Sequence, residues 1–272
     1  MKNIIHLLIA VMAVLQVNGQ EKFTLSYKME KGKTYRYEST YTFDASQEMM
    51  GNEMKVTGDT RSILRFEAEE LKENGNMVIV TSTEESVTHT SMMGRDTTIR
   101  RNDIKDRARI EMDPAGNIIS ETEVDSAAKK VSFMPGESSF INLPSHAVSI
   151  GEKWTKTTVD TVKTEGNEII TTITTDSELI GKEEKNGRQC LRVAYKNVYE
   201  ITGKVNQMGM EMFMEGEGEG TGTFWFDPAQ GVYVADESVI SQDITLAITG
   251  QTQMTIPSSQ VINVKTKLIE QP

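Results

Sequence analysis

The residues with the most distinctive chemistry form an alternating ladder in the last third of the chain. Every second residue from position 208 is a thioether, then a glycine, then an aromatic ring: Met208, Met210, Met212, Met214, Gly216, Gly218, Gly220, Gly222, Phe224 and Phe226. Successive side chains of a β-strand point to opposite faces, so these residues share one face. A straight strand of this length would be unusual at about 3.3 Å per residue. The glycines therefore indicate a bend, a bulge or the close approach of another group.

Three kinds of chemistry suit this face. Methionine is an adaptable apolar side chain, so the ladder could be core packing. The same adaptability, with space left by the glycines, suits a pocket for an apolar small molecule or a lipid-like ligand. The residues that would contact such a ligand are Met208, Met210, Met212, Met214, Gly216, Gly218 and Phe224.

Copper(I) is the third ligand that thioethers suit, although copper sites usually recruit His or Cys as well. Beyond the N-terminal segment the chain has only His89, His146 and Cys190, and none of them adjoins the ladder in sequence. The opposite face of the ladder carries a row of glutamates, interpreted as a solvated surface because a cation needs converging oxygens. That row consists of Glu211, Glu215, Glu217 and Glu219. We therefore expect no metal site and no cofactor.

Catalytic motifs are missing from the sequence. It contains no G-x-S-x-G elbow, no H-E-x-x-H and no phosphate-binding glycine loop. Cys190 lies in a strand-like stretch and is expected to be a buried, inert thiol, whereas His89 and His146 are expected at the surface. An acid–base pair among the 40 Asp and Glu would leave no signature. We expect no enzymatic activity and assign no catalytic residue.

Charge excludes one class of partner. The formal net charge is −11, which argues against nucleic-acid binding because that function recruits clustered Lys and Arg. One basic stretch departs from this balance and is interpreted as a solvated strand face, with an acidic headgroup or partner site as the alternative. Its basic residues are Arg95, Arg100, Arg101, Lys105, Arg107 and Arg109.

The elements that position these residues are predicted to be strands. Apolar and polar residues alternate through 23–29, 34–43, 61–69 and 191–195, and β-branched residues are abundant. Asn-Gly and Asp-Pro turns separate the runs. The one expected helical turn spans 126–131. The pattern predicts an all-β protein with little helix, an antiparallel curved sheet with a barrel-like or half-barrel architecture.

The chain also contains three pairs of similar segments in the same order, at separations of 119, 112 and 114 residues. The nearly constant separation predicts two tandem β repeats. The connector has apolar anchors, so both repeats are expected to form one continuous structure. The paired segments are 31–35 with 150–154, 72–75 with 184–187, and 111–115 with 225–229.

A family resemblance rests on two short motifs. Leu143-Pro144, Val148, Gly151 and Trp154 form a Leu-Pro…Gly-Glu-x-Trp signature, and residues 220–227 read Gly-Thr-Gly-Thr-Phe-Trp-Phe-Asp. Both resemble uncharacterised exported β-rich proteins of Gram-negative bacteria, a domain of unknown function. The resemblance implies no activity and no site residues.

The N-terminus has the pattern of a secretory signal peptide. Lys2 precedes an apolar stretch, and small or modest residues precede an expected cleavage after Gly19. No Cys directly follows that position, because Cys190 is the only thiol, so the lipoprotein route is excluded. No later segment predicts a transmembrane span. The expected division is a signal peptide at 1–19, a first repeat at 20–125, a connector at 126–148 and a second repeat at 149–272.

These expectations together describe a periplasmic or secreted, non-catalytic β protein. Its leading predicted role is the binding of an apolar or lipid-like ligand on the Met/Gly face. A structural or interaction module of the cell envelope is the first alternative, and a Cu(I)-binding periplasmic protein is the second.

Overall fold

The computed structural model describes residues 21–49, 51–102, 107–125, 140–164, 167–207, 210–249 and 253–270. This part of the chain consists of β-strands and connections and contains no helix, which confirms the predicted all-β class. The signal segment and the expected helical turn at 126–131 lie outside the described residues. The strands are β1 (Lys22–Phe23), β2 (Thr34–Met49), β3 (Asn52–Leu71), β4 (Met77–Met92), β5 (Arg95–Arg101), β6 (Arg107–Met112), β7 (Ile118–Asp125), β8 (Val148–Ser149), β9 (Lys153–Thr164), β10 (Asn167–Lys185), β11 (Arg188–Gln207), β12 (Met210–Asp227), β13 (Val232–Thr249) and β14 (Met254–Glu270).

Twelve of the strands form one antiparallel sheet. Its order is β7-β6-β4-β3-β2-β14-β13-β12-β11-β10-β9, and β5 pairs with β4 beside this path. Strand β2 of the first predicted repeat therefore pairs with β14 of the second, so one sheet runs through both stretches. The sheet is curved and open, with β7 and β9 at its two ends, in agreement with the predicted half-barrel.

Long hairpins give the sheet two distinct ends. Most of its strands are 16–20 residues long, so each extends for roughly 50–65 Å at 3.3 Å per residue. The turns that join β3 to β4, β10 to β11 and β12 to β13 lie at one end, which we call the covered end. The hairpins β2–β3, β4–β5, β11–β12 and β13–β14 turn at the other, the distal end.

Two strap segments close the inner face at the covered end. The first strap, residues 24–30, buries Leu25, Tyr27 and Met29 against the sheet, and the second, residues 140–147, buries Phe140 and Leu143. The alternation of buried residues predicted for 23–29 is therefore correct. The predicted strand is limited to β1, however, because the strap backbone bonds to turns of the sheet instead of to a neighbouring strand.

Backbone hydrogen bonds hold the first strap to two Asp turns. Tyr27 N donates to Pro114 O at 2.8 Å, and Lys28 N donates to Gly231 O at 2.9 Å. Both turns need glycine, because Gly116 and Gly231 have φ of 85° and 67°. A Cβ at Gly231 would also lie 2.5 Å from Lys28 Cβ, so the strap approaches the turn too closely for any side chain there.

The core at the covered end is rich in aromatic rings. Tyr27 makes edge-to-face contacts with Phe140 and Phe226, with 5.6 Å between ring centroids in each pair. Tyr37 stacks on Tyr233 at 4.3 Å. Such pairs contribute about 0.5–1.5 kcal/mol each beyond the area that they bury. The straps thus stabilise the covered end, and they contribute no residue to the clusters farther along the strands.

Two of the three similar segment pairs make comparable hydrogen bonds in the structure. Gly32 N donates to Ala68 O and Gly151 N to Leu179 O, both at 2.7 Å. The carboxylate Oδ1 of Asp113 and that of Asp227 each accept bonds from two backbone N–H groups of their own turns. Equivalent landmarks therefore lie at equivalent places in the sheet.

No helix in the described residues has the length and apolar character needed to cross a membrane.

Candidate binding face

The methionine ladder lies on the inner face of β12, near the distal end. Met212 and Met214 are buried, with 8% and 5% of their surface exposed. Met210 is described by its backbone, which pairs with Gln207, and Met208 lies outside the described residues. Within the described part of the chain, Met212 and Met214 thus lie on one face, as predicted for the ladder.

These two methionines belong to an apolar group that we call the distal cluster. It contains the buried residues Ile169, Ile201, Val205, Met212 and Met214, with Ile244, Leu246 and Ile248 packed against them. Met214 lies opposite Leu246 of β13, and Met212 lies between Val205 and Ile248 on the two neighbouring strands. Strands of the sheet alone form this cluster, whereas the straps add their side chains to the core at the other end.

Methionine is concentrated at the distal end. Within the described residues Met29, Met77 and Met112 belong to the covered core. The remaining described methionines lie on distal hairpins or in the distal cluster. They are Met49, Met54, Met92, Met93, Met210, Met212, Met214 and Met254.

The glycines of the ladder lie beneath side chains from neighbouring strands. A Cβ at Gly218 would be 2.6 Å from Gln242 Cγ, and one at Gly216 would be 3.0 Å from Ile244 Cγ1. A Cβ at Gly220 would lie 3.3 Å from Cε2 of Tyr199. The space that the missing side chains leave is therefore occupied by the protein itself.

Phe224 belongs to the covered core, where it is 1% exposed. It packs near Tyr195 at a ring-centroid distance of 6.2 Å. The ladder therefore connects two different environments: Met212 and Met214 in the distal cluster, and Phe224 in the aromatic core.

Polar side chains lie between these two clusters, in a band that also contains a third apolar cluster formed by Tyr199, Ile240 and Ile262. Ser39 and Thr266 hydroxyls are 2.9 Å apart, and Gln260 Nε2 donates to Gln242 Oε1 at 2.7 Å. Among the described residues four buried side-chain atoms lack a hydrogen-bond partner, and Asn197 Oδ1 and Gln242 Nε2 in this band are two of them. This mixed band lies between the aromatic core and the distal cluster.

One carboxyl group stands out in the inner face. Tyr195 Oη donates to Asp236 Oδ1 at 2.8 Å. Burial raises the pKa of Asp236 to about 6, and the hydrogen bonds from Tyr195 and Ser238 only partly oppose this effect. No periodicity or motif distinguishes Asp236 in the sequence. The alternation of polar and apolar residues does not show which face of a long strand becomes the inner face of the sheet.

The thiol and the two histidines lie apart from the ladder. Cys190 packs with Trp225, Val234 and Ala235 in a separate cluster, and burial raises its pKa to about 11. The predicted buried thiol is thus confirmed. His89 Nδ1 lies 2.8 Å from Thr98 Oγ1, and His146 Nε2 lies 3.0 Å from Glu152 Oε1.

The glutamate row lies on the outer face of β12. Lys204 pairs with Glu211 at 2.6 Å and Lys196 with Glu219 at 2.9 Å. Within the described ranges no three His, Cys, Asp or Glu side chains converge as a metal-binding group. Glu211 and Glu219 thus form separate cross-strand ion pairs, and Glu215 and Glu217 lie exposed on the same face.

Two shallow depressions mark the described surface. One of about 360 Å³ is lined by Arg192, Thr223, Trp225 and Glu237 on the outer face. The other, of about 530 Å³, lies at the distal hairpins beside Met54 and Met93. Neither depression includes the ladder residues Met212 and Met214.

Comparison with known proteins leaves the family open. No family model matches the sequence, and no curated protein matches it. The solved structures that it resembles include OpdQ of Pseudomonas aeruginosa, with 8% identity over 87% of this chain and 99% of that chain at a TM-score of 0.29. They also include OccK7 (OpdD) of the same species, with 7% identity over 88% of this chain and 100% of that one at a TM-score of 0.30. An outer membrane channel from Pseudomonas putida F1 is similar with 11% identity over 89% of this chain and 97% of that chain, at a TM-score of 0.30. At these TM-scores the likeness carries no argument about the chain's function.

Proposed function

We propose that this chain is an exported, non-catalytic β protein of the cell envelope that binds an apolar or lipid-like ligand through the distal cluster. The observation that carries the proposal is the contrast between the two ends of the inner face. Straps close the covered end, whereas the distal cluster is formed by the sheet alone in the described part of the chain. Export rests on the signal pattern that ends at Gly19.

Methionine supports this role through its flexibility. Met212 and Met214 are unbranched thioethers that adapt their shape to a neighbouring group. A ligand would enter by displacing these side chains, because the cluster is closed by its own residues. Each methylene that a lipid chain buries contributes about 0.8 kcal/mol. Burial of about ten methylenes would contribute roughly 8 kcal/mol, and the costs of association and of displacing the methionines reduce the net affinity.

The contact is assigned to part of the ladder only. Met212 and Met214 would line the ligand, while Gly216 and Gly218 make room for Ile244 and Gln242. Phe224 packs in the aromatic core, so a ligand on the distal cluster does not need it. Met208 and Met210 continue the same alternation toward the hairpin tip in sequence.

A structural or interaction module of the envelope is the second candidate. The filling of the glycine row by Tyr199, Gln242 and Ile244 favours it, because that row offers no space to a small molecule. Titration with a ligand separates the two candidates.

The test uses lipid and an apolar fluorophore. Native mass spectrometry of the protein purified from its own cell envelope should detect a co-purified lipid. The fluorophore N-phenyl-1-naphthylamine should bind the chain and lose at least tenfold in affinity in the double variant Met212→Gln with Met214→Gln. Phe213→Gln is the matched control, because Phe213 lies between them on the outer face and is 42% exposed.

Thermal unfolding of each variant must show a cooperative transition for the comparison to hold. A chain that carries no lipid and does not bind the fluorophore would overturn the proposal. The same double variant, titrated with Cu(I) under reducing conditions, tests the thioether copper site.

A further inference from the structure

The hairpin formed by β4 and β5 exposes apolar side chains at the edge of the sheet. All seven residues of β5 are exposed. Met92 is 48%, Met93 74% and Ile99 50% exposed. In the described part of the chain β5 pairs with β4 alone, so Ile99 lies on an outermost strand of that part. Met93 lies in the turn that leads into β5, and Met92 lies on β4 beside Arg95.

The turn of this hairpin contains a residue other than glycine in an unfavourable backbone conformation. Met93 has φ of 51° and Gly94 has φ of 74°. The β10–β11 turn has the same geometry, with φ of 51° at Asn186 and 75° at Gly187. Asn-Gly is the preferred pair for such a turn, whereas a methionine at positive φ has no local hydrogen bond to offset its steric strain. An exposed methionine in this conformation suggests a role outside folding.

Charge along the same edge is unpaired. Arg95, Arg100 and Arg101 have no ion pair or side-chain hydrogen bond within the described residues, and Asp96 is the one acid of the strand. Most other arginines of the sheet behave differently, although Arg107 of β6 also has no carboxylate partner among the described residues. Carboxylates pair with Arg36, Arg61, Arg65 and Arg109. In a chain with a net charge of −11, the β5 edge is a local excess of positive charge.

We propose that the β5 edge docks on the surface of an anionic lipid bilayer. Met92, Met93 and Ile99 would enter the boundary between headgroups and acyl chains, and the three arginines would bind lipid phosphates. Apolar side chains beside unpaired cations are the combination that binds an element to such a surface. This inference depends on the β4–β5 hairpin alone and does not require a ligand in the distal cluster.

Two other accounts explain less of the edge. Charged residues on a free edge prevent strands of other molecules from pairing with it, which accounts for the arginines. Protection of an edge does not account for Met92, Met93 and Ile99, since exposed apolar residues make an edge more prone to association. An acidic protein partner would use the arginines but does not explain a methionine at positive φ.

Vesicle flotation tests the proposal. The purified full chain is mixed with vesicles of phosphatidylcholine alone or of phosphatidylcholine with phosphatidylglycerol. We expect binding to the anionic vesicles only, and weaker binding at high salt because the arginines lie in solvent. The triple variant Arg95→Gln, Arg100→Gln and Arg101→Gln should lose on the order of 100-fold in affinity, since each cation near an anionic surface contributes about fivefold.

A charge-matched control and a second variant make the result decisive. Lys31→Gln with Lys33→Gln and Lys265→Gln removes the same charge from exposed positions outside this edge, and should leave vesicle binding within about twofold. Met93→Asn should weaken binding by about tenfold while the turn itself becomes more favourable.

Three outcomes would overturn the inference. Equal binding of the wild type and the arginine variant is one, and an equal loss in the lysine control is another. The third is binding of soluble poly-L-glutamate under conditions in which the anionic vesicles do not bind, because that result would assign the edge to an acidic protein.

Discussion

Tyr195 reaches across strand β12 to donate its hydroxyl to the carboxylate of Asp236 on β13, at 2.8 Å. The residue that it crosses is Gly222, which lies opposite Tyr195 in the register. A Cβ at Gly222 would lie 2.4 Å from Tyr195 Oη, so the bond depends on the absence of a side chain there. Gly222, a glycine of the ladder, thus leaves room for the hydrogen bond to Asp236. Burial raises the pKa of this carboxyl group.

Asp236 should make the protein less stable as the pH rises from about 4 to 6. Its pKa is raised from 3.8 to about 6, so in this range the folded protein keeps a proton that the unfolded chain has released. Because the folded state binds more protons, the free energy of unfolding falls with pH and stays lower above about pH 6. The shift corresponds to a loss on the order of 2–3 kcal/mol at neutral pH.

Asp236→Asn removes this titration and keeps an acceptor for Tyr195. Urea unfolding of the variant and the parent is compared between pH 3.5 and 8. The difference in unfolding free energy should grow in favour of the variant from about pH 4 to 6 and then stay constant. A difference that stays constant with pH would contradict a raised pKa at Asp236.

Gly222→Ala should destabilise the fold by about 3 kcal/mol. The new methyl group would force Tyr195 from its place over the strand and break its bond to Asp236. Gly220→Ala is the matched control, because the nearest atoms to its Cβ lie at 3.3 Å and belong to side chains that can shift slightly. Its unfolding free energy should stay within about 1 kcal/mol of the parent in urea titration.

The sequence predicts which residues alternate between buried and exposed positions, but it predicts only some of the contacts that these residues make. Tyr35 and Tyr37 are buried on one face of β2, as the alternation indicates. The pairing of β2 with β14 and the register shift at Trp225 depend on contacts between distant parts of the chain, so no local pattern carries them. The origin of the two halves by duplication stays a prediction, although the turns at Gly32 and Gly151 make the same bonds.

The candidate site shows the same division. The alternation of the ladder correctly predicts that Met212 and Met214 share one face. It cannot show that Tyr199 and Gln242 fill the space above the glycines, since those side chains come from neighbouring strands. In the sequence the exposed strand β5 is marked only by a basic stretch. The sequence does not show which arginines form an ion pair with a carboxylate.

Exchanging residues between two turns should move stability in opposite directions. Met93→Asn gives the β4–β5 turn the residue that the β10–β11 turn already has, and relief of the strain at positive φ is worth about 1 kcal/mol. The melting temperature should rise by about 2–4 °C, as measured by circular dichroism. Asn186→Met should lower it by a similar amount, and equal effects of both changes would contradict this explanation.

Cys190 should react with iodoacetamide only when the protein unfolds. The thiol is 2% exposed among Trp225, Val234 and Ala235, and its pKa is raised to about 11 because burial disfavours the thiolate. At pH 8 the folded protein therefore presents few thiolates and little access. Mass spectrometry should find the native chain unmodified over a time in which the urea-unfolded chain is fully alkylated. If the native chain is labelled at the rate of the unfolded chain, the prediction is contradicted and the cluster around Trp225 opens freely. If the labelling rate rises with urea below the unfolding transition, β11 opens locally.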